Sequence, residues 1–86
     1  MKGSARVRLL GNLCNVAGTK LGEQNIETPV SLKGIVDTLK STYGIELYRD
    51  STLVLVNGVE ANALQDLETM VKSGDEVVFV PMFHGG

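Results

Sequence analysis

The chain has 86 residues, enough for one domain with a single modest hydrophobic core and too few for two. Its hydrophobic fraction of 43% excludes wholesale disorder, and its net charge of −2 argues against direct binding to nucleic acid, which requires a clustered basic surface. The single cysteine, Cys14, excludes an internal disulfide and fits a reducing compartment.

The first third of the chain predicts a hairpin of two strands. Residues 5–10 contain alternating apolar and basic side chains, which is the pattern of a half-buried strand. Residues 23–28 predict a more polar second strand, in which Ile26 is the clearest inward-facing residue. Because Gly11, Asn12 and Gly18 interrupt the segment between them, we expect an antiparallel hairpin with a long loop.

One amphipathic helix is predicted after this hairpin. Ser31 is a favourable N-cap, and Gly44 is a natural left-handed terminator. Between them, apolar residues recur at helical spacing and form one stripe: Leu32, Ile35, Val36, Leu39 and Tyr43. Gly34 costs about 1 kcal/mol of helix propensity relative to Ala, so we expect it to mark a close contact with the sheet.

Three further strands, one of them short, and a tight turn are predicted in the C-terminal half. Residues 52–56 are apolar on both faces, and Asn57-Gly58 is a strong signal for a hairpin turn into a short return strand. Leu64, Leu67 and Met70 are spaced for a short helical turn at the edge of the core. The last strand, residues 76–80, is expected to stop at Pro81, which has no N–H for a sheet ladder.

These elements predict an α+β protein in which a mixed sheet of four to five strands packs on one main helix. We expect residues 1–80 to form this domain and residues 81–86 to form a flexible tail that ends in Gly-Gly. A single helix covers only one face of a sheet, so the other face is predicted to be open.

The last strand offers a candidate partner surface on that open face. If alternate residues face the helix, the others point outward and form an apolar patch with the neighbouring strand: Val54, Val56, Val78 and Val80. The alternative is that the chain itself covers these side chains.

The tail is the most distinctive part of the sequence. Its six residues reach about 20 Å when fully extended. Gly85 and Gly86 carry no Cβ, so this end can enter a narrow channel and present an unhindered terminal carboxylate. The alternative is a frayed terminus without a function.

The order of elements and the Gly-Gly end together resemble the ubiquitin-like β-grasp fold. Residues 73–81, Ser-Gly-Asp-Glu-Val-Val-Phe-Val-Pro, resemble the ending of the small subunit of molybdopterin synthase, in which a similar turn and strand lead through proline to Gly-Gly. The final His-Gly-Gly is similar to the ending of the ubiquitin-related modifiers, which carry sulfur and also tag proteins, as archaeal-type small modifiers do. His84 and the bulky Phe83 depart from the synthase subunit, and the branch of the family stays open.

The resemblance implies a carrier protein, not an enzyme, whose functional group is the Gly86 carboxylate, with Gly85 giving access to it. A separate E1-like enzyme would use ATP to adenylate this carboxylate. A sulfur donor protein would then yield a thiocarboxylate, for example for tRNA thiolation, or a target lysine would form an isopeptide bond. The residues expected to be recognised in the tail are Pro81, Met82, Phe83 and His84.

Two other functions stay open beside the modifier. One is the small subunit of molybdopterin synthase, whose tail would insert into a large synthase subunit during molybdenum cofactor biosynthesis. The other is a plain interaction domain of the same fold with an inert tail. One residue added at the C-terminus would block both carriers and would not affect the inert domain.

The sequence predicts no catalytic site, bound cofactor or metal site within the chain. Gly18, Gly22 and Gly34 lack a nucleotide-binding spacing, so ATP is expected to bind the activating enzyme. Cys14 and His84 stand alone and far apart in sequence, and we interpret them as a packing residue and a recognition contact.

The remaining signals concern charge and location. Asp66 and Glu68 are a close pair of carboxylates that we expect on a solvated face rather than at a catalytic site. No stretch has the length and apolarity of a signal peptide or a membrane span, so we expect a cytoplasmic protein that does not contact a membrane.

Overall fold

In the part of the chain that the structure describes, a mixed five-stranded sheet and one α-helix form the main body of the fold. The computed structural model describes residues 3–10, 23–44, 47 and 51–82. Its elements in chain order are β1 (Gly3–Leu9), β2 (Glu23–Thr28), β3 (Val30–Ser31), α1 (Leu32–Tyr43), β4 (Thr52–Val56), β5 (Val59–Glu60), 3₁₀ turns at Ala61–Ala63 and Asp66–Glu68, β6 (Met70–Val71) and β7 (Glu76–Pro81).

The main sheet has the strand order β2-β1-β7-β4-β5. Strands β1 and β7 are parallel at its centre, and the other neighbouring strands are antiparallel. The first hairpin and the β4–β5 hairpin are therefore as the sequence predicts, although the loop between β1 and β2 lies outside the described residues. This β-grasp arrangement confirms the predicted fold class.

Helix α1 forms where its capping signals predict. The Ser31 side chain accepts a hydrogen bond of 3.1 Å from the Gly34 N–H, and Gly44 ends the helix with φ of 69°. Leu32, Ile35 and Leu39 are fully buried, whereas the side chain of Tyr43 is not among those described. One apolar stripe thus holds the helix against the sheet.

Gly34 does mark a close contact, but its neighbour is β3 rather than the main sheet. A Cβ at this position would lie 2.7 Å from a methyl carbon of Val30. Val30 pairs with Val71, and so β3 and β6 form a separate two-stranded ladder at the start of the helix. Two-residue strands contain too little alternation for the sequence pattern to predict them.

The hydrophobic core lies between α1 and one face of the main sheet. Alternate residues of the two central strands point into it, and each is at most 1% exposed: Ala5, Val7, Leu9, Val77 and Phe79. Both strands are thus fixed in register by a period of two that places these five apolar side chains on the helix side.

The segment between β5 and β6 differs from the predicted helical turn. It forms two 3₁₀ turns, in which Leu64 is 44% exposed and Leu67 packs against the core. Met70, also predicted to pack there, belongs to β6 and is 49% exposed. Asp66 adopts a positive φ of 53°, which a continuous α-helix would not allow.

Candidate functional site at the root of the tail

The described part of the chain ends where the predicted tail begins. Strand β7 continues through Pro81, one residue beyond its predicted end, and Pro81 pairs with Thr52 of β4. The next residue is also attached, because the Met82 N–H donates a hydrogen bond of 2.7 Å to the Ser51 carbonyl oxygen. Pro81 and Met82 therefore lie against the domain, and the expectation that Met82 stands clear of it is wrong.

A proline fits at this end of β7 because only one neighbouring strand extends that far. The register between β1 and β7 ends at Leu9 and Phe79, while β4 continues to Thr52. The missing N–H of Pro81 consequently costs no pairing with β1. The sequence correctly indicates that Pro81 has no N–H to donate to a neighbouring strand, but the prediction that the strand stops before Pro81 is wrong.

The face of the sheet away from α1 is apolar at its centre. In the β4–β7 register, Leu53 pairs with Val80 and Leu55 pairs with Val78, and all four side chains are half-buried. Directly opposed residues of neighbouring strands share a face of the sheet. We call Leu53, Leu55, Val78 and Val80 the outer apolar face, since their alternating neighbours Val77 and Phe79 point to the helix.

This register corrects the prediction for β4. Val54 pairs with Phe79 and Val56 pairs with Val77, so both point to the helix side rather than outward. Val56 is only 6% exposed, and Val54 packs against the core. The placement of Val78 and Val80 on the outward side is as predicted, whereas the residues of β4 beside them are Leu53 and Leu55.

Basic side chains flank the outer apolar face on the β1 side. Arg6 and Arg8 lie with guanidinium nitrogens 3.9 and 4.0 Å from a carboxylate oxygen of Glu76, and all three side chains are substantially exposed. Such exposed pairs add little to stability. Arg8 stands next to Val78 in the parallel register, so a partner of this face meets an apolar centre with a cationic margin.

A cavity of about 130 Å³ opens beside the root of the tail. Its apolar wall comes from the helix, the sheet, both 3₁₀ turns and Leu47, and includes Val36, Leu53, Val54, Ala61, Leu67 and Phe79. Exposed Met82 and Glu60 also line it, so it reaches the surface beside the end of β7. We call it the tail-root cavity.

Two acidic residues, Glu60 and Asp66, line the tail-root cavity. Among the described residues, no lysine or arginine lines it. The Asn62 side chain, another lining group, donates a hydrogen bond of 3.3 Å to the Glu60 carboxylate, which places that carboxylate at the cavity. Glu68 is exposed as predicted, but Asp66 is half-buried at the cavity instead of on a solvated face.

The wall formed by residues 61–69 is fixed by hydrogen bonds. The buried Thr69 hydroxyl accepts one of 3.0 Å from the Gln65 N–H, and the Thr69 N–H donates one of 3.1 Å to the Asp66 carbonyl. The Thr69 carbonyl in turn accepts one of 2.9 Å from the Leu32 N–H at the start of α1. The cavity is therefore preformed rather than dependent on a ligand.

At the opposite end of β7, a polar network sets the position of the strand. Asn57 and Gly58 both have positive φ, 52° and 82°, as the predicted hairpin turn requires. The Asn57 side chain donates to the Asp75 carboxylate at 3.0 Å and accepts from the Glu76 N–H at 2.9 Å. The Lys72 N–H donates to the same carboxylate at 2.8 Å.

These two donors lower the pKa of Asp75 below its ordinary value of 3.8, the backbone N–H of Lys72 contributing most and the Asn57 amide next. The carboxylate therefore stays ionised and joins the turn before β7 to the turn after β4. Its role is to position the strand that leads to the tail. Asp75 directly precedes β7 and so lies at the end of the strand opposite to Pro81.

Several predicted site residues fall outside the described residues. These are Phe83, His84, Gly85 and Gly86 of the tail, together with Cys14 in the first loop. Within the described ranges, no three metal-binding side chains cluster closely enough to hold an ion. No helix in those ranges is long and apolar enough to cross a membrane.

Sequence reasoning missed Leu53, Leu55 and the tail-root cavity. Residues 53–56 of β4 are all apolar, so alternation could not tell which set faces outward. The cavity depends on segments that are distant in the chain, and no sequence pattern brings Val36 beside Leu67.

Residues 7–86 match the model of the ThiS family. No match was found among curated protein sequences.

Solved structures that are similar to this chain cover almost its whole length. Small archaeal modifier protein 1 of Methanosarcina acetivorans is 25% identical with a TM-score of 0.81, and the match covers 100% of this chain and 99% of that one. Urm1 of Trypanosoma brucei is 25% identical with a TM-score of 0.74, covering 99% and 97%. A protein described as subunit 1 of a molybdopterin converting factor, from Pyrococcus furiosus, is 19% identical with a TM-score of 0.71, covering 94% and 99%, and shows the shared fold alone.

Proposed function

Because this chain belongs to the ThiS family, whose members are ubiquitin-like sulfur carriers, we propose that its working group is the Gly86 carboxylate. The observation that carries the proposal is the geometry of the tail root. Strand β7 delivers the chain through Pro81 and Met82 to one edge of the domain, and four residues remain beyond that point. They reach at most about 14 Å, so the carboxylate works close to the domain surface.

The proposed first step is adenylation by a separate E1-like enzyme. A carboxylate is a poor acyl donor, so one of its oxygens attacks the α-phosphorus of ATP, pyrophosphate leaves, and an acyl adenylate forms. Gly85 and Gly86 carry no Cβ, which allows this end to enter a narrow active site. ATP binds the enzyme in this scheme, and the carrier contributes only its carboxylate.

The acyl adenylate then has two proposed fates. Sulfur delivered at the oxidation level of sulfide by a donor protein displaces AMP and leaves a thiocarboxylate, which can supply sulfur for a reaction such as tRNA thiolation. Alternatively, the amine of a lysine on a target protein displaces AMP, loses a proton and forms an isopeptide bond. Similarity to archaeal modifier and Urm1 structures supports including the second fate.

We assign the outer apolar face to binding of the activating enzyme. The four side chains of this face form one half-buried apolar patch that α1, on the opposite side of the sheet, does not cover. The arginines beside it add electrostatic selectivity for a partner with an acidic margin. The tail residues Pro81 to His84 then serve as recognition contacts on the way to the active site.

The small subunit of molybdopterin synthase is the alternative function. The turn and strand that lead through Pro81 to Gly-Gly support it, because the same order of residues ends that subunit. In this function the tail inserts into a large synthase subunit, and the thiocarboxylate is the only activated product. An interaction domain with an inert tail would form neither product.

The proposal is tested by the intact mass of the protein isolated from its native cell. We expect a fraction in which one oxygen of the C-terminal peptide is replaced by sulfur. A variant that lacks Gly86 provides the control and should contain none. Absence of sulfur, together with normal function of a chain extended by one residue, would favour the inert domain.

The modifier and the synthase subunit are separated by a second measurement. An N-terminally tagged copy is expressed in the native host, and heavier tagged species are analysed after treatment with excess thiol. An isopeptide survives this treatment, whereas thioesters and disulfides are cleaved. If only the free protein and its thiocarboxylate are found, also under stress, the synthase subunit becomes the better assignment.

A further inference from the structure

The Asn57-Gly58 turn carries a reactive pair of residues that the carrier scheme does not use. The backbone nitrogen of the residue after an asparagine can attack the side-chain amide carbon and close a succinimide ring. Glycine in the second position favours this reaction, because it has no Cβ to hinder the attack. The chain contains four other asparagines, and each is followed by a larger residue than glycine: Asn12, Asn15, Asn25 and Asn62.

The turn is open to the water that such a reaction consumes. Asn57 and Gly58 are both exposed, and each has a positive φ in the hairpin between β4 and β5. Asn57 follows Val56, which pairs with Val77 near the start of β7, whereas Pro81 lies at the other end of that strand. A chemical change here can therefore be followed apart from the tail.

Two contacts hold the Asn57 amide against the start of β7. Its Nδ2 donates a hydrogen bond of 3.0 Å to the Asp75 carboxylate, and its Oδ1 accepts one of 2.9 Å from the Glu76 N–H. Since Nδ2 is the atom that leaves as ammonia, its bond to Asp75 must break during the reaction. The lowered pKa of Asp75 keeps this carboxylate ionised, so it has no proton to give to the leaving nitrogen.

We propose that Asn57 is a site of spontaneous deamidation, and that its contact with Asp75 restrains the reaction in the folded protein. The Gly58 nitrogen loses its proton to solvent and bonds to the Asn57 Cγ. The bond from Cγ to Nδ2 then breaks, and Nδ2 takes a proton from solvent and leaves as ammonia. Water opens the succinimide at either carbonyl carbon, which leaves aspartate or isoaspartate at position 57. The net reaction consumes one water for each ammonia released.

Either product weakens the connection between this turn and β7. In the aspartate product an oxygen replaces the donor that faces Asp75, so two carboxylates meet where the hydrogen bond was. In the isoaspartate product the backbone runs through the former side chain, which lengthens the turn by a methylene group. The two-residue strand β5 depends on the length of this turn for its register with β4. Modified chains should therefore melt at a lower temperature.

The reaction is measured in the full-length protein during incubation in mildly alkaline buffer. Samples are digested at acidic pH, where deamidation is slow, and mass spectrometry detects the exchange of –NH₂ for –OH. Asn62, which precedes Ala63, is the internal control. We expect slow conversion at Asn57 and none at Asn62 over the same period. A capped peptide of residues 54–60 lacks the contact with Asp75 and should convert at least about tenfold faster than the protein.

Two variants test the restraint by Asp75. Asp75→Ala removes the acceptor of the Asn57 amide and should speed conversion at least about tenfold. Ile35→Val removes one buried methyl group from α1 and is the control for a general loss of stability. Each protein is incubated equally far below its own melting temperature. If Asp75→Ala does not fold, Asp75→Asn, which keeps an acceptor oxygen without its charge, should show a smaller increase.

Three results would overturn the inference. The first is an absence of conversion at Asn57 in the protein while the free peptide converts, and the second is an equal rate in both. The third is equal acceleration by the Asp75 variant and by Ile35→Val, since this would show that the reaction depends on general unfolding.

The effect of the product on the fold is tested with Asn57→Asp. We expect its melting temperature to fall by at least about 4 °C, because a hydrogen bond to a charged group is replaced by a repulsive contact. An unchanged melting temperature would contradict the proposed weakening of the turn.

Discussion

Val77 and Val78 are neighbours in β7 that face opposite sides of the sheet, and aspartate at each should have different effects. Val77 is fully buried, so Val77→Asp loses about 1.5–3 kcal/mol of apolar burial and adds an unpaired carboxylate that costs several kcal/mol more. An 86-residue domain has a total stability of about 4–13 kcal/mol. This variant should therefore unfold or come close to it.

Val78→Asp should retain the fold, because Val78 is half-buried on the outer apolar face and its carboxylate would reach solvent beside Arg8. A loss of about 1 kcal/mol corresponds to a fall of about 4–8 °C in melting temperature for a domain of this size. Its adenylation, measured by ATP–pyrophosphate exchange with the cognate activating enzyme, should fall much further than this loss explains.

Thermal melting followed by circular dichroism separates the two variants, with Val78→Ala as the control for lost side-chain volume. A melting temperature for Val78→Asp as low as that for Val77→Asp would place Val78 in the core and refute the assigned faces. Normal pyrophosphate exchange by a folded Val78→Asp variant would instead show that the activating enzyme does not bind the outer apolar face.

Three further predictions concern the tail, the cysteine and the Asp75 carboxylate. Gly85→Ala should abolish adenylation while the melting temperature stays unchanged, and normal pyrophosphate exchange would contradict the steric argument. Cys14→Ala should accept sulfur on Gly86 as the native chain does; a folded variant with no thiocarboxylate by mass spectrometry would make Cys14 a sulfur relay. The folded pKa of Asp75 is lowered, so its stabilisation is present above the ordinary pKa of 3.8 and is lost as the pH falls through the folded value. Asp75→Asn should therefore flatten the decline in melting temperature between about pH 5 and pH 2, and an unchanged acid profile would contradict this.

The local elements were largely predictable because each has a short-range physical cause. Ser31 and Gly44 limit the helix by satisfying its terminal backbone groups, and Asn57-Gly58 supplies the two positive φ angles of the hairpin turn. Alternation in β7 correctly separated its buried residues from its outward ones. In each case the information lies within a few residues of sequence.

The predictions failed where the structure depends on pairing between distant segments. The sequence assigns Val54 and Val56 to the wrong face because residues 53–56 of β4 are all apolar, and only the register of β4 with β7 settles which residues point outward. The β3–β6 ladder depends on Val30 meeting Val71, and no local pattern signals that contact. The cavity was missed for the same reason, since its wall is assembled from several elements.

The anchored root of the tail lies beside two surfaces. The outer apolar face carries Val78 away from the helix, whereas Val36 lines the tail-root cavity from the helix side. Leu53 belongs to the outer apolar face and also lines the cavity, so the two surfaces are adjacent. The hydrogen bond from Met82 to Ser51 fixes the end of the described chain beside the cavity.

A final prediction follows from that geometry. Val78→Asp should reduce pyrophosphate exchange, because Val78 lies on the face assigned to the activating enzyme. Val36→Phe should leave exchange intact, because Val36 lines the tail-root cavity from the helix side. If a folded Val36→Phe variant lowers exchange as much as Val78→Asp does, the cavity belongs to the interface with the activating enzyme.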